Sequence, residues 1–208
     1  MQTRLDTGSM EAFLESALNA GHRLIGQVVI TVAGPGFSLF HKDDAGLEGL
    51  EVFRSAADAM RIAVLDDAGK YRPLKTAPNL RHGWRLELSS LAELRKALDF
   101  LYPAALGNWR ALVRGTLSPT PLRHTVNRQT GMYRITGKIT DEQGSELISV
   151  LCRPGCQRKI LWPVNPDAPY PEAGSADGRI PLLCTEACCL FIAAARKTVK
   201  GIPLDQVE

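Results

Sequence analysis

Arg23-Leu24-Ile25-Gly26-Gln27-Val28-Val29-Ile30-Thr31-Val32 is rich in β-branched residues and predicts a strand. Gly34-Pro35-Gly36 follows, and Phe37 to His41 then reads as a second strand. Pro35 presets its own φ and the flanking glycines permit positive φ, so the three residues read as a turn between antiparallel strands. The same G-x-G could cradle a phosphate, but a hairpin turn is the preferred reading.

Working outward, residues 9–21 predict a helix. Ser9 suits the N-cap, Met10, Phe13, Leu14, Ala17 and Leu18 recur at helical spacing, and Gly21 ends it. Residues 51–65 predict a second helix through Val52, Ala56, Ala59, Met60 and Ala63. A turn at 66–69 and short strands at 71–75 and 83–88 follow. Ser90-Leu91-Ala92-Glu93 fits a capping box for a helix with Leu91, Leu94, Leu98 and Leu101 on one face, ended by Pro103. Beyond a boundary near 104, helices are predicted at 106–114, from Pro121 to Gln129 with Thr120 as cap, at 141–151 and at 185–200. A strand is predicted at 132–139 and a long proline-rich loop at 162–181. The expected fold is α+β: a small antiparallel sheet with helices over 1–104, then a helix-rich, cysteine-ligated cluster-binding part over 105–208.

The chain has 208 residues, 45% of them hydrophobic and 23% charged, enough to bury a core without disulfides. Disorder and fibrous structure are excluded. No apolar run reaches the length of a spanning helix. Arg4, Asp6, Glu11 and Glu15 would interrupt the apolar core of a signal peptide, so the expected location is the cytoplasm with no membrane partner. The formal net charge is +3, yet no carboxylate side chain occurs from Phe100 to Thr140, a stretch holding Arg110, Arg114, Arg123, Arg128, Arg134 and Lys138.

All five cysteines lie between Cys152 and Cys189, as Cys152-x3-Cys156, then Cys184-x3-Cys188 followed by Cys189. Random scatter would rarely crowd them so, and in a reducing compartment such crowding points to a metal or cluster site rather than a disulfide scaffold. Pro154 and Gly155 bend the first pair so that both sulfurs can face one centre. For the second pair, residues four apart on a helix differ by about 40° of rotation, whereas Cys189 would sit about 140° from Cys184. Cys188 is therefore the expected fourth ligand, and Cys189 a buried or spare thiol. The N-terminus of the last helix favours negatively charged sulfur, and Arg153, Arg158 and Lys159 lie close enough in sequence to offset the charge of four thiolates. Four cysteines suit a [4Fe–4S] cluster or a tetrahedral zinc, and burial as core thiols is the bland alternative.

Tyr71-Arg72-Pro73-Leu74, Leu101-Tyr102-Pro103-Ala104-Ala105, Arg128-Gln129-Thr130-Gly131-Met132-Tyr133-Arg134, Cys152-Arg153-Pro154-Gly155-Cys156 with Lys159-Ile160-Leu161-Trp162-Pro163, and Cys184-Thr185-Glu186-Ala187-Cys188 leading into Ala193-Ala194-Ala195-Arg196 carry a resemblance. Over about 70–200 the chain resembles the DR2241-like iron–sulfur domain fused to sirohydrochlorin cobaltochelatases of the CbiX type. The resemblance implies a [4Fe–4S] cluster on Cys152, Cys156, Cys184 and Cys188. It also implies a link to metal insertion in cobalamin-type tetrapyrrole synthesis, with a chelatase or another tetrapyrrole-pathway protein as partner. Chelatase modules of this type carry histidine ligands in an α/β domain of their own. No such repeated βα pattern is found here, so an accessory or redox role is expected rather than stand-alone chelation.

Sirohydrochlorin is rich in carboxylates, and arginine binds carboxylates bidentately. Arg123, His124, Arg128 and Arg134 are the candidates for an anionic tetrapyrrole, against the alternative of a solvated face with ordinary ion pairs. The same stretch could serve a structural-zinc module that touches nucleic acid, a reading disfavoured by the near-neutral total charge. No two of His22, His41, His82 and His124 stand at metal-ligand spacing, and a structural or surface role is the reading for each. Trp109 and Trp162 read as core or shielding side chains.

Overall fold

The computed structural model describes residues 9–63, 80–118, 121–129, 136–152, 158–160, 178–184 and 187–203, excluding the side chains of 128–129, 158–160 and Cys189. The chain divides into two compact units, one of residues 1–117 with 173–182 and one of 118–172 with 183–208.

In the first unit the helix α1 (Met10–Asn19) starts where Ser9 Oγ accepts the Ala12 N–H at 2.9 Å. Phe13, Leu14, Ala17 and Leu18 form its buried face. The stretch read as one strand is two: β1 (Leu24–Ile25) and β2 (Val28–Ala33) form a hairpin, with Leu24 opposite Val29 and Ile25 opposite Val28. Gly26 folds it back. Its φ is +57°, and a Cβ there would lie 2.5 Å from the Tyr102 hydroxyl. The second hairpin is as expected: β2 pairs antiparallel with β3 (Gly36–His41), Ile30 opposite Leu39, around a Gly34-Pro35 turn. Gly36 has to lack a side chain, because a Cβ would overlap the Leu88 carbonyl oxygen.

Residues 51–53 are not helical. They form β4 (Glu51–Phe53), parallel to β5 (Trp84–Leu88). Ser55 explains the late helix start: its Oγ accepts from Ala57 N–H and the Asp58 carboxylate accepts from Ser55 N–H. A 3-10 turn (Ala56–Asp58) and the short α2 (Ala59–Ile62) follow. With β7 (Arg179–Ile180) parallel to β1, the sheet order is β4-β5-β3-β2-β1-β7, mostly antiparallel with parallel pairings at both edges. The predicted turn at 66–69 and strand at 71–75 lie outside the described residues.

The helix α3 (Leu91–Leu101) buries Leu94, Ala97, Leu98 and Leu101, and α4 (Ala105–Val113) buries Trp109, whose ring meets Phe13 edge-on at 4.7 Å. Ser90 caps α3 through the Glu93 N–H at 3.3 Å. The expected reciprocal bond is displaced by one residue, since Glu93 accepts from Ser89 N–H and Ser89 Oγ instead. Ile25, Ile30, Leu39 and Leu86 face these helices across one core. Each fully buried side chain of this size contributes about 1.5–3 kcal/mol.

The second unit holds α5 (Leu122–Gln129), a 3-10 turn (Thr136–Lys138) where the end of a strand was predicted, and α6 (Asp141–Leu147), which continues as a π-helical turn (Ile148–Cys152). Thr140 and Gln143 bond each other's backbone N–H in a full capping box. Two short strands, β6 (Arg158–Ile160) and β8 (Leu182–Cys184), pair, and α7 (Cys189–Val199) closes the unit. Leu122, Val126, Leu147, Ile148, Ala187, Phe191, Ala194 and Ala195 form its core. Thr120, the predicted cap of α5, and residues 161–177 of the predicted loop lie outside the described residues. Among the described residues no helix is long and apolar enough to cross a membrane.

Candidate metal centre

Three of the four expected ligands fall on three different elements of the second unit. Cys152 is the last residue of the π-helical turn, is half-buried, and packs against the core beside Leu151. Cys184 is the last residue of β8, also half-buried, and packs against the same core. The strand β6, paired with β8, also touches the π-helical turn. The backbone thus ties the element that ends in Cys152 to the strand that ends in Cys184.

Cys188 is exposed and is the N-cap of α7, with extended backbone (φ −76°, ψ 169°). Its Sγ accepts the Phe191 N–H at 3.5 Å. This corrects the helical-face argument: Cys184 ends a strand rather than starting a helix, and the last helix begins at Cys189, four residues later than expected. The pairing of β8 with β6, a contact invisible in local spacing, keeps Cys184 extended. Cys156 lies outside the described residues. Cys152, Cys184 and Cys188 are thiols rather than disulfide sulfurs.

The donor chemistry fits an iron–sulfur cluster. Thiolates are soft ligands, suited to Fe–S clusters and zinc rather than to hard cations. The Ala187–Phe191–Ala194 side of the core supplies an apolar wall. N–H donation to sulfur, as at Cys188, is one of the levers that set a cluster's potential.

Of the arginine-stretch candidates, Arg123 pairs with Asp141, its Nη2 and Nε lying 2.7 and 3.3 Å from Asp141 Oδ1. His124 is exposed on the same helix. Arg134 and the side chain of Arg128 lie outside the described residues. Trp109 is a core residue, and Trp162 is outside the described residues.

The sequence reading missed a cluster in the first unit. The His41 and His82 rings meet with centroids 3.9 Å apart and planes tilted by 53°, beside Asp43 and Asp44. Burial, followed by the neighbouring His82, holds His41 below the ordinary imidazole range. Burial pushes Asp44 up, but the Gly83 N–H and His82 outweigh it and keep the carboxyl below its usual range. Forty residues separate the two histidines, so no local spacing could have revealed the pair.

Residues 10–113 match the DR2241 stabilising domain, and residues 114–197 match a 4Fe-4S iron-sulfur cluster binding domain. These matches define a two-unit protein whose second unit is of an iron–sulfur class. The chain belongs to the DR2241 family. It is similar to DR2241 from Deinococcus radiodurans, a multi-domain protein with structural similarity to chelatases and two additional novel domains. The identity is 31% and the TM-score 0.67, over 91% of this chain and 42% of that one. This chain therefore spans less than half the length of DR2241. No curated protein matches it.

Proposed function

We propose that the second unit binds a [4Fe–4S] cluster through Cys152, Cys156, Cys184 and Cys188, and that the protein is an accessory or redox module for a tetrapyrrole metal chelatase. One observation carries the reading: half-buried Cys152 and Cys184 pack on a single apolar core from which α7 starts with Cys188, inside a segment matching a 4Fe-4S domain. When bound, such a cluster supplies one-electron redox chemistry. The chain's part is to hold the sulfurs on three elements, to wall off water with Leu151, Ile192 and Phe191, and to donate the Phe191 N–H to Cys188. The chelatase link is supported by the chelatase-like architecture of DR2241 and by the resemblance of the cysteine segments. The cytoplasm is the proposed location, and a carboxylate-rich tetrapyrrole near Arg123 and His124 is the proposed small-molecule ligand.

Anaerobic purification with iron, sulfide and zinc analysis on one sample tests the reading. About four iron and four sulfide per chain, with broad absorption near 400 nm (roughly where thiolate-bound clusters absorb), is the expected result. A colourless protein with one zinc overturns it and leaves a structural-zinc interaction module. A reversible potential with the fold intact in both states supports the redox role, whereas unfolding on cluster removal makes the cluster structural.

A further inference from the structure

We propose that His41, Asp44 and His82 form an acid-released clasp that fastens the end of β3 to the start of β5. The parts are brought together by sheet topology. The strand β3 ends at His41, and Phe40 lies opposite Arg85 of β5, so the chain entering β5 sets the His82 ring against that of His41. A 3-10 turn (Lys42–Asp44) follows His41 directly and carries Asp44.

Hydrogen bonds on both sides of this turn close the clasp. His41 Nδ1 accepts the Asp43 N–H at 3.2 Å and so caps the turn. Asp44 is 3% exposed, its Oδ2 accepts the Gly83 N–H at 2.7 Å, and its Oδ1 lies 3.1 Å from His82 Nδ1. The cap also fixes the His41 tautomer. A neutral ring that accepts on Nδ1 carries its one proton on Nε2. That Nε2 is buried, with no partner among the described residues. A second proton therefore has only Nδ1 to go to, and there it removes the acceptor of the Asp43 N–H. The turn loses its cap, and with it the rigid seat from which Asp44 holds Gly83 and His82.

The surrounding charges decide how readily this happens. His41 is faced by His82 from the entry to β5, and by Lys42, Asp43 and Asp44 from the turn. Opposite it on β2 stands Val28, which is uncharged. Burial and then His82 oppose the proton, as does Lys42; Asp43 and Asp44 favour it and are outweighed. His82 is 60% exposed beside the Asp44 carboxylate, so a charge on it is both solvated and paired. Asp44 is not the titrating group: against the upward push of burial, the Gly83 N–H and His82 keep its carboxyl below the usual range. For His41 the folded value lies below the unfolded one. The contribution of the clasp is thus complete above the ordinary imidazole value of about 6.5 and is lost as pH falls below it toward the folded value.

Hydrogen exchange resolved to single amides tests this in the full chain with its cluster loaded. Rates are converted to protection factors, so that the intrinsic pH dependence drops out. From about pH 7.5 down to about pH 5, where imidazoles titrate, protection of the Asp43 and Gly83 N–H groups should fall, by at most about tenfold per pH unit, the limit for one proton. The Ile30 N–H, bonded to the Arg23 carbonyl in the first hairpin, should keep its protection. His41→Asn retains a capping acceptor without a titrating ring and should abolish the fall. His82→Asn keeps an N–H donor for Asp44 but cannot carry charge, so the fall should begin at a higher pH than in the unaltered chain. His82 is exposed, so this second variant decides the question even if the buried substitution unfolds the chain. Constant protection at Gly83, an equal loss at Ile30, or an undiminished fall in His41→Asn overturns the proposal. So does a fall in His82→Asn that begins at the same or a lower pH.

Discussion

The Sγ of Cys188 sits at the N-terminus of α7 and accepts the N–H of Phe191, a side chain buried in the second core. One residue thus starts a helix and offers a thiol, and the two roles can be separated. Cys188→Ser keeps an N-cap acceptor, and serine is among the better capping residues. Oxygen, however, is a poor substitute for thiolate on iron. Cys188→Ser should fold with its helix content intact and lose most of its iron. Cys188→Ala should lose the iron and also about 1 kcal/mol of stability. Cys189→Ala should keep both. Equal iron retention in the Cys188 and Cys189 variants would sink the ligand assignment.

Much of this fold is written in local pattern. The Leu stripe of α3 and the Gly34-Pro35 turn between β2 and β3 are decided by neighbours in sequence, and both stand in the structure. The departures come from distant partners. Gly26 breaks a long β-branched run because Tyr102, far along the chain, packs over it. Val52 stands at helical spacing from Ala56 and Ala59, but it and Phe53 are extended by pairing with β5. Cys184 reads as a helical position until β6 claims it for a strand. The crowding of cysteines in one segment was visible because ligands cluster in sequence. The His41–His82 pair was not, because only the sheet brings it together.

Arg123 illustrates how an anion-binding candidate is tied up. Its guanidinium meets Asp141 at 2.7 Å, and both side chains are partly exposed, at 55% and 39%. Pairs of this kind are worth about 0.2–1 kcal/mol, so Arg123→Ala should shift stability by no more than that. A carboxylate-rich tetrapyrrole would have to compete with Asp141 for the same donors. Asp141→Asn should therefore strengthen binding of such a ligand and Arg123→Ala should weaken it, read by fluorescence titration. Indifference of the ligand to both changes would remove Arg123 from the proposed site.

Glu93 gives a pH-dependent observable. The Ser89 N–H and then the Ser89 hydroxyl donate to its carboxylate and hold it below the ordinary glutamate range. A carboxyl depressed in the folded state contributes stability above its unfolded pKa, and that contribution is lost as pH falls through the folded value. Carboxyl-detected NMR titration should place the Glu93 midpoint below that of a glutamate in an unstructured peptide. Ser89→Ala removes one of the two donors and should move it part of the way back. A Glu93 midpoint unmoved by that change would mean that the backbone N–H alone sets it.

Gly26 and Tyr102 form a coupled pair, and their coupling has a predictable sign. The Tyr102 hydroxyl accepts the Gln27 N–H at 2.9 Å, directly over Gly26. In Gly26→Ala the new Cβ would lie 2.5 Å from that hydroxyl and 2.7 Å from Leu182 Cδ1, on a backbone at φ +57°. The left-handed conformation alone costs a non-glycine residue about 1–2 kcal/mol, so the total loss should exceed that. Tyr102→Phe leaves the Gln27 N–H without its acceptor, a loss of about 1–3 kcal/mol. In the double variant the clash with the hydroxyl oxygen is gone, the ring carbon Cζ still lies 2.7 Å from the new Cβ, and the bond to Gln27 is already broken. The double variant should therefore be less destabilised than the two single losses combined, by about 0.5 kcal/mol or more in urea unfolding. Strict additivity would mean that the strain at residue 26 comes from its backbone, Leu182 and the ring carbon Cζ, and that the hydroxyl adds nothing to it.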